Sequence, residues 1–124
     1  MDDVHTMHFE DDGRIPNNPG LPLVLYRGAL VTTGNPLKAE ACRSLFRHNG
    51  WGGIWVNGVF PYHHYHSTAH EVLGVTSGTA DIKFGGEHGD IVRLQASDVV
   101  IIPAGVGHCN VDSSPDFRVV GAYP

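Results

Sequence analysis

The sequence has no long apolar run, no excess of positive charge and almost no cysteine. Lysine and arginine together number 8, against 13 aspartates and glutamates, which gives a formal net charge of −5 at pH 7. Nucleic-acid-binding proteins typically present a basic stripe, so this balance argues against a nucleic-acid partner. The longest wholly aliphatic run is Val99–Ile102. A membrane-spanning helix needs roughly 20 apolar residues, so we expect no membrane segment.

The two cysteines, Cys42 and Cys109, form neither a CxxC motif nor a disulfide framework. The first residues, Met-Asp-Asp, lack the basic and apolar segments of a secretory signal. Together these features predict a cytoplasmic protein in a reducing compartment. A length of 124 residues is enough for one domain with one modest core.

Histidine is abundant, with 9 residues, and two of them are separated by a single residue. Because side chains alternate between the faces of a strand, His64 and His66 would point the same way. The small and polar segment 67–70 suits a turn, and Glu71 opens an apolar run that reads as a returning strand. His108 follows a turn-rich stretch, 103–107, that can bring another strand to the same interior. The sequence thus predicts that three imidazoles and one carboxylate meet.

Neutral imidazole and carboxylate are suitable ligands for zinc, iron, manganese or nickel. We therefore predict one divalent transition-metal ion per chain, bound by His64, His66, Glu71 and His108. Four ligands leave one or two positions open on a five- or six-coordinate ion, and an open position is typical of a working metal site. None of the other histidines fits both the spacing and the parity of ligands, and we interpret them as surface or packing residues: His5, His8, His48, His63, His70 and His88.

Short strands separated by turn signals dominate the rest of the chain. An edge strand is predicted at 4–10 and a docked extended segment at 21–26. Further strands are predicted at 51–57, 62–66, 71–76, 79–84, 91–94, 98–102, 107–111 and 117–122. One helix is predicted from about Pro36 to Asn49, with Asn35 as N-cap and Gly50 as the C-terminal stop. Its apolar stripe would contain Leu37, Ala41, Leu45 and Phe46.

Two motifs, Gly58-x5-His64-x-His66-x4-Glu71-x6-Gly78 and Pro103-x-Gly105-x2-His108, resemble the two signature motifs of the cupin superfamily. The segments 10–23, 49–51, 62–75 and 119–124 are similar to the small, single-domain bacterial cupins of the YjlB type. This similarity covers nearly the whole chain.

The resemblance implies an all-β fold, the cupin double-stranded β-helix or RmlC-like jelly-roll barrel, with one external α-helix. It implies a single cupin domain over 1–124, in which 1–50 contains N-terminal strands, a connector and the helix, and 51–124 forms the barrel with both motifs. It also implies a homodimer, but no substrate. Ser97 stands where the superfamily usually has glycine, which would strain the backbone by about 1 kcal/mol if the turn needs a positive φ. The chain stops at Pro124 whereas relatives tend to continue, so a C-terminal strand or clasp is expected to be absent.

Strand parity also suggests a pocket around the metal. Asn110 would share the face of His108, and Leu73 and Val75 that of Glu71, while Trp55 and Asn57 would line the opposite wall. Such a pocket is apolar with a few polar groups and suits a small organic ligand. Plain core packing is the alternative for Leu73, Val75 and Trp55.

Three functions of different classes remain open from the sequence. The first is a metal-dependent enzyme, an oxygenase, isomerase or hydrolase, that acts on a small molecule at the open site. The second is a module that binds a small carboxylate or sugar without chemistry. The third is a structural metal barrel in an assembly. A fold does not choose among them, because function depends on the site.

Overall fold

A computed structural model describes residues 3–32, 35–36 and 38–124. This part of the chain contains one helix and eleven strands, all paired antiparallel. They are β1 (Val4–Phe9), β2 (Asn18–Tyr26), β3 (Val31–Thr32), β4 (Asn35–Pro36), α1 (Ala39–His48), β5 (Gly52–Asn57), β6 (Glu71–Ser77), β7 (Thr79–Phe84), β8 (Asp90–Gln95), β9 (Val99–Ile102), β10 (His108–Ser113) and β11 (Arg118–Tyr123).

The strands form two main sheets. A six-stranded sheet has the order β1-β2-β9-β6-β11-β5, and a three-stranded sheet has the order β10-β7-β8. Neighbours such as β2 and β9 are far apart in sequence, so the chain crosses repeatedly within the sheets, as in a jelly roll. The predicted all-β, cupin-type jelly roll with one external helix is confirmed. The small pair β3-β4 lies apart from both sheets.

The main core lies between the two sheets, and the alternation of buried residues is clearest in β7. In β7 every second residue is buried, namely Ala80, Ile82 and Phe84, as expected for a strand with one face on a core. On the facing sheet, Leu73 and Val75 of β6 belong to the same cluster, and each is 1% exposed. The remaining fully buried members include Leu23, Leu25, Leu94, Val100, Ile102, Val106, Phe117 and Val119.

The helix α1 packs on the outer face of the six-stranded sheet. Cys42 and Phe46 are its buried residues, and they lie over Gly74 of β6. A Cβ atom at Gly74 would come within 2.8 Å of the Cys42 Sγ and 2.9 Å of the Phe46 Cζ, so glycine is what allows this close approach. The predicted stripe was wrong in part, because Ala41 and Leu45 are exposed; Leu37 lies outside the described residues.

The predicted start of the helix was also wrong. The helix begins at Ala39, and its N-cap Lys38 provides no side-chain hydrogen bond. Asn35 and Pro36 instead pair with Thr32 and Val31 in β3-β4. A capping preference is a local tendency of less than about 2 kcal/mol, so tertiary context readily overrides it. The stop at Gly50 is confirmed, since this residue has φ of 88° just after the helix.

The turn between β8 and β9 has a positive φ at a residue other than glycine. Ser97 has φ of 90°, is 3% exposed and has both backbone groups bonded. Its N–H donates to the Val75 carbonyl at 2.8 Å, and its carbonyl accepts from the Leu30 N–H at 2.9 Å. The conformation that would strain serine is therefore present and held in place.

Among the described residues, no helix has the length and apolar character needed to cross a membrane.

Candidate metal centre

The four predicted ligands come from three separate parts of the chain and meet at one end of the barrel. His64 and His66 lie on the segment 58–70 between β5 and β6, Glu71 is the first residue of β6, and His108 is the first residue of β10. A backbone bridge joins two of these parts: the His108 N–H donates to the His64 carbonyl at 3.0 Å, and the His64 N–H donates to the His108 carbonyl at 3.3 Å. These residues are called the His–Glu cluster below.

The predicted strand over 62–66 was wrong, because only His64 forms a β-bridge there. The segment is held by scattered hydrogen bonds instead. The Asn110 N–H donates to the Phe60 carbonyl, and the Gly105 N–H donates to the His66 carbonyl, each at 2.8 Å. A continuous ladder requires a partner at every second residue, whereas the bonds to 58–70 come at irregular spacing from β10 and from the loop before it. His64 and His66 still lie on the same side of the segment.

The ligand atoms of His64, His66 and Glu71 all lie within 4.8 Å of one another, so these three residues could hold one metal ion. His108 joins them through the carboxylate, with its Nε2 at 3.1 Å from the Glu71 Oε1. The His66 Nε2 lies 3.7 Å from the same oxygen, and the rings of His64 and His108 have centroids 4.0 Å apart. Three residues thus meet the distance for one ion, and His108 contacts this group through Glu71 without belonging to it by that distance.

Glu71 gives the clearest indication that a cation belongs here. The residue is 2% exposed, and its Oε1 has no hydrogen-bond partner in the described part of the chain. The His108 Nε2 lies 3.1 Å from this oxygen. Burial by itself would raise the pKa of the Glu71 carboxyl, but the neighbouring His108, Tyr123 and His66 together outweigh burial, and the pKa lies below its ordinary value. A buried carboxylate that stays charged needs a strong partner, and a divalent ion bound by the imidazoles would be one.

His64 is in the form that binds metal. Burial, helped by the charge of neighbouring His108, lowers the pKa of His64 to about 4, so its ring is neutral at pH 7 and offers a lone pair. The His108 Nδ1 lies 3.2 Å from the Val106 carbonyl, which assigns the proton to Nδ1 and leaves the Nε2 lone pair facing the cluster. A backbone carbonyl that orients a ligand histidine in this way is common in metal sites.

A cavity of about 320 Å³ adjoins the cluster. All four cluster residues line one side of it, and the other side is mainly apolar: Trp55, Val56, Asn57, Gly58, Val59, Phe60 and Tyr123. Trp55 and Asn57 thus lie where the sequence predicted a wall. Trp55 fits beside β11 because position 121 is glycine, where a Cβ would come within 2.2 Å of the indole ring.

The structure places the other predicted lining residues away from the cavity. Leu73 and Val75 share the inward face of Glu71, but they lie deeper in the barrel, inside the main core. Asn110 follows His108 on β10, where the pairing with β7 shifts register between Asn110 and Asp112, and its side chain donates to the Ser113 Oγ at 3.2 Å. These three assignments are corrected, because parity indicates the face of a strand but not the depth along it.

Tyr123 is the site residue that sequence reasoning missed. It is the last residue of β11, and its hydroxyl lies 3.2 Å from the His66 Nε2. Burial, together with the negative charge of Glu71, raises the pKa of the Tyr123 hydroxyl, so it stays protonated at neutral pH. The available signal was its position on β11: Tyr123 lies four residues after the fully buried Val119, so the two side chains share a face of the strand.

Two neighbouring histidines point elsewhere. The His63 Nε2 lies 3.3 Å from the Glu87 Oε2 on the β7–β8 hairpin. The His70 Nδ1 accepts a hydrogen bond from the Ala104 N–H at 2.9 Å, so this ring braces the loop before β10. Tyr65 is 38% exposed and, like Cys109, does not line the cavity. The contacts of His63 and His70 agree with the surface or packing role predicted for them.

The fold is therefore of the cupin type, a jelly roll with the His–Glu cluster at one end of its interior. The chain is 52% identical over 122 residues to the uncharacterized protein YjlB of Bacillus subtilis. The alignment covers 98% of this chain and 70% of YjlB. The chain therefore belongs to the YjlB family.

Two other comparisons add less. No family profile matches the chain. A crystal structure of a DUF861 family protein from Thermotoga maritima is similar with 17% identity and a TM-score of 0.45, over 73% of this chain and 96% of that one.

Proposed function

We propose that this chain is a metal-dependent enzyme that acts on a small, largely apolar organic molecule. One divalent transition-metal ion per chain is bound by the His–Glu cluster, and the substrate occupies the cavity beside it. The observation that carries this proposal is the shared wall: the same cavity of about 320 Å³ is lined by all four cluster residues and by a set of apolar side chains. A molecule in this cavity would reach an open coordination position.

The bound ion would supply Lewis acidity or, for a redox-active metal, electron transfer. The chain supplies the surroundings. Trp55, Val59 and Phe60 offer apolar surface that orients the substrate and displaces water from it. Tyr123 supplies a protonated hydroxyl within 3.2 Å of a ligand nitrogen, close enough to hydrogen-bond a substrate atom at the centre.

A binding module without chemistry is the second candidate. Its supporting observation is the composition of the cavity wall, in which the only carboxylate, Glu71, belongs to the cluster and no lysine or cysteine is present. An acid–base pair independent of the cluster is thus missing from the wall that the structure describes. Such a module would hold a small carboxylate or sugar on the ion.

Metal analysis of protein purified without chelator or added metal tests the proposal first. We expect about one ion per chain. The metal-loaded protein is then screened against small organic acids, ketones and phenols with iron, manganese, nickel and zinc in turn, and the double variant His64→Ala/His66→Ala serves as the metal-free control. Turnover that the control lacks supports the enzyme. Tight binding without turnover with any of the four metals supports the binding module, and absence of metal contradicts both.

We also propose that the chain forms a homodimer. The six-stranded sheet ends in β1 and β5, and such edges carry backbone groups that invite pairing. The β5 edge also exposes Val56, at 40%. Light scattering at micromolar concentration should give twice the chain mass; a monomer mass would contradict the proposal.

A further inference from the structure

We propose that the Tyr123 hydroxyl donates a hydrogen bond to the metal-bound oxygen of the ligand, and that the site thereby selects small molecules with one anionic oxygen group on an apolar body. This inference rests on the proposed metal site, since it concerns the atom bound beside the ion.

The position of Tyr123 is well determined by its neighbours. Its ring meets the His66 ring edge to face, with centroids 5.0 Å apart and an interplanar angle of 78°. On its other side the backbone of β5 approaches closely, since a Cβ at Gly53 would come within 3.1 Å of the Tyr123 ring. The hydroxyl is therefore held at the cluster by packing of the ring.

A count of donors and acceptors shows why this hydroxyl needs another partner when metal is bound. A phenol donates one hydrogen bond, and a neutral imidazole has one acceptor nitrogen. The His66 Nε2 faces the cluster, 3.7 Å from the Glu71 Oε1, and it is also the nitrogen 3.2 Å from the Tyr123 hydroxyl. Coordination of an ion through this nitrogen uses the lone pair that would otherwise accept from Tyr123.

A half-buried hydroxyl that loses its acceptor must find another, because unpaired polar groups are costly. Two acceptors are then within reach of the cluster: the Glu71 carboxylate and an oxygen atom bound at the open position. Glu71 is itself a ligand, so much of its electron density would go to the ion. A ligand oxygen with negative charge is the better acceptor, since hydrogen bonds to charged groups are the stronger ones.

The charge of the cavity limits the rest of the ligand. No lysine or arginine lines the cavity wall as described, so the ion and Tyr123 would be the groups that stabilise an anion there. A second carboxylate or a phosphate would lie against Trp55, Val59 and Phe60 without a counter-charge, which is unfavourable. The geometry therefore favours a monoanion such as an aromatic or short aliphatic carboxylate.

The test uses the full chain loaded with cobalt(II), whose visible absorption reports ligand exchange. Benzoate, acetate and inorganic phosphate are titrated into the wild type, into Tyr123→Phe, and into Tyr26→Phe as a matched loss of a hydroxyl on β2. We expect benzoate and acetate to bind about tenfold more weakly to Tyr123→Phe, while cobalt affinity stays within about threefold of wild type in both variants. Tyr26→Phe should match the wild type throughout, and phosphate should bind the wild type more weakly than benzoate.

Each other outcome contradicts a distinct claim. Failure of the wild type to bind cobalt overturns the metal site and this inference with it. Normal cobalt binding with unchanged benzoate and acetate affinity in Tyr123→Phe overturns the inference alone. A loss of cobalt affinity in Tyr123→Phe without a separate loss of anion affinity assigns the hydroxyl to Glu71 instead. Phosphate binding tighter than benzoate overturns the ligand class. Thermal unfolding of each variant verifies that the fold is retained.

Discussion

Replacement of His64 by alanine should remove most bound metal, whereas the same replacement at the adjacent His63 should not. His64 is one of three residues whose donor atoms lie within 4.8 Å of one another. His63 reaches in another direction, to Glu87 at 3.3 Å. The two changes delete the same side chain at neighbouring positions, so they differ only in where the imidazole points.

The expected magnitudes differ by more than an order of magnitude. Removal of a residue that only orients a metal ligand lowers metal affinity by about 10- to 100-fold. Loss of the ligand His64 itself should therefore lower it by at least about 100-fold. The pair of His63 with Glu87 lies at the surface, where Glu87 is 74% exposed, and such pairs contribute less than about 1 kcal/mol to stability. Metal affinity of His63→Ala should therefore stay within about threefold of the wild type. The bridge between His64 and His108 is retained in both variants, because it is made by main-chain groups that alanine also has.

Metal per chain, measured by elemental analysis after dialysis against metal-free buffer, decides the comparison. His66→Ala and His70→Ala extend it, with loss expected for the first and retention for the second, since the His70 Nδ1 is bonded to the Ala104 N–H. If His63→Ala empties the site and His64→Ala does not, the register of this segment is off by one and the inward assignments along it must be reversed.

Three further outcomes are expected, each measured by chemical denaturation. The free energy of unfolding of the metal-free protein should fall by up to about 2 kcal/mol as pH falls from about 6.5 to 4. The pKa of His64 is lowered to about 4 in the folded protein, so the unfolded chain binds this proton first. Absence of this pH-dependent loss in His64→Gln would support the reasoning, and an equal loss in that variant would contradict it. Ser97→Gly should stabilise the protein by about 1 kcal/mol, since φ is 90° at this position. Asn17 also has a positive φ, but Asn17→Gly should destabilise the protein because the Asn17 amide makes three hydrogen bonds. Asp98→Ala should cost about 3 kcal/mol, since this 1% exposed carboxylate accepts bonds from an arginine and two backbone N–H groups. Asp81→Ala should cost less than about 1 kcal/mol, because Asp81 pairs with Arg93, whose side chain is 64% exposed; equal costs would refute the reasoning.

The alternation of side chains made much of the barrel predictable. The bounds of β7 were predicted as Thr79–Phe84, and the structure has the same residues. The two-residue alternation of side chains also selected His64 and His66 over His63, because it depends only on neighbouring residues in the sequence. The pairing of motifs at 58–78 and 103–108 predicted which distant residues would meet.

Contacts between elements decided the rest. Tyr123 and Trp55 line the site because β11 pairs with β5 and position 121 has no side chain. Leu73 has the right parity but lies too deep to reach the cavity. The helix begins at Ala39 because the chain before it pairs as β3-β4. Local sequence determines which face a side chain takes, but depth in a barrel, register across sheets and the walls of a cavity depend on distances between segments far apart in the chain, which only the folded structure provides.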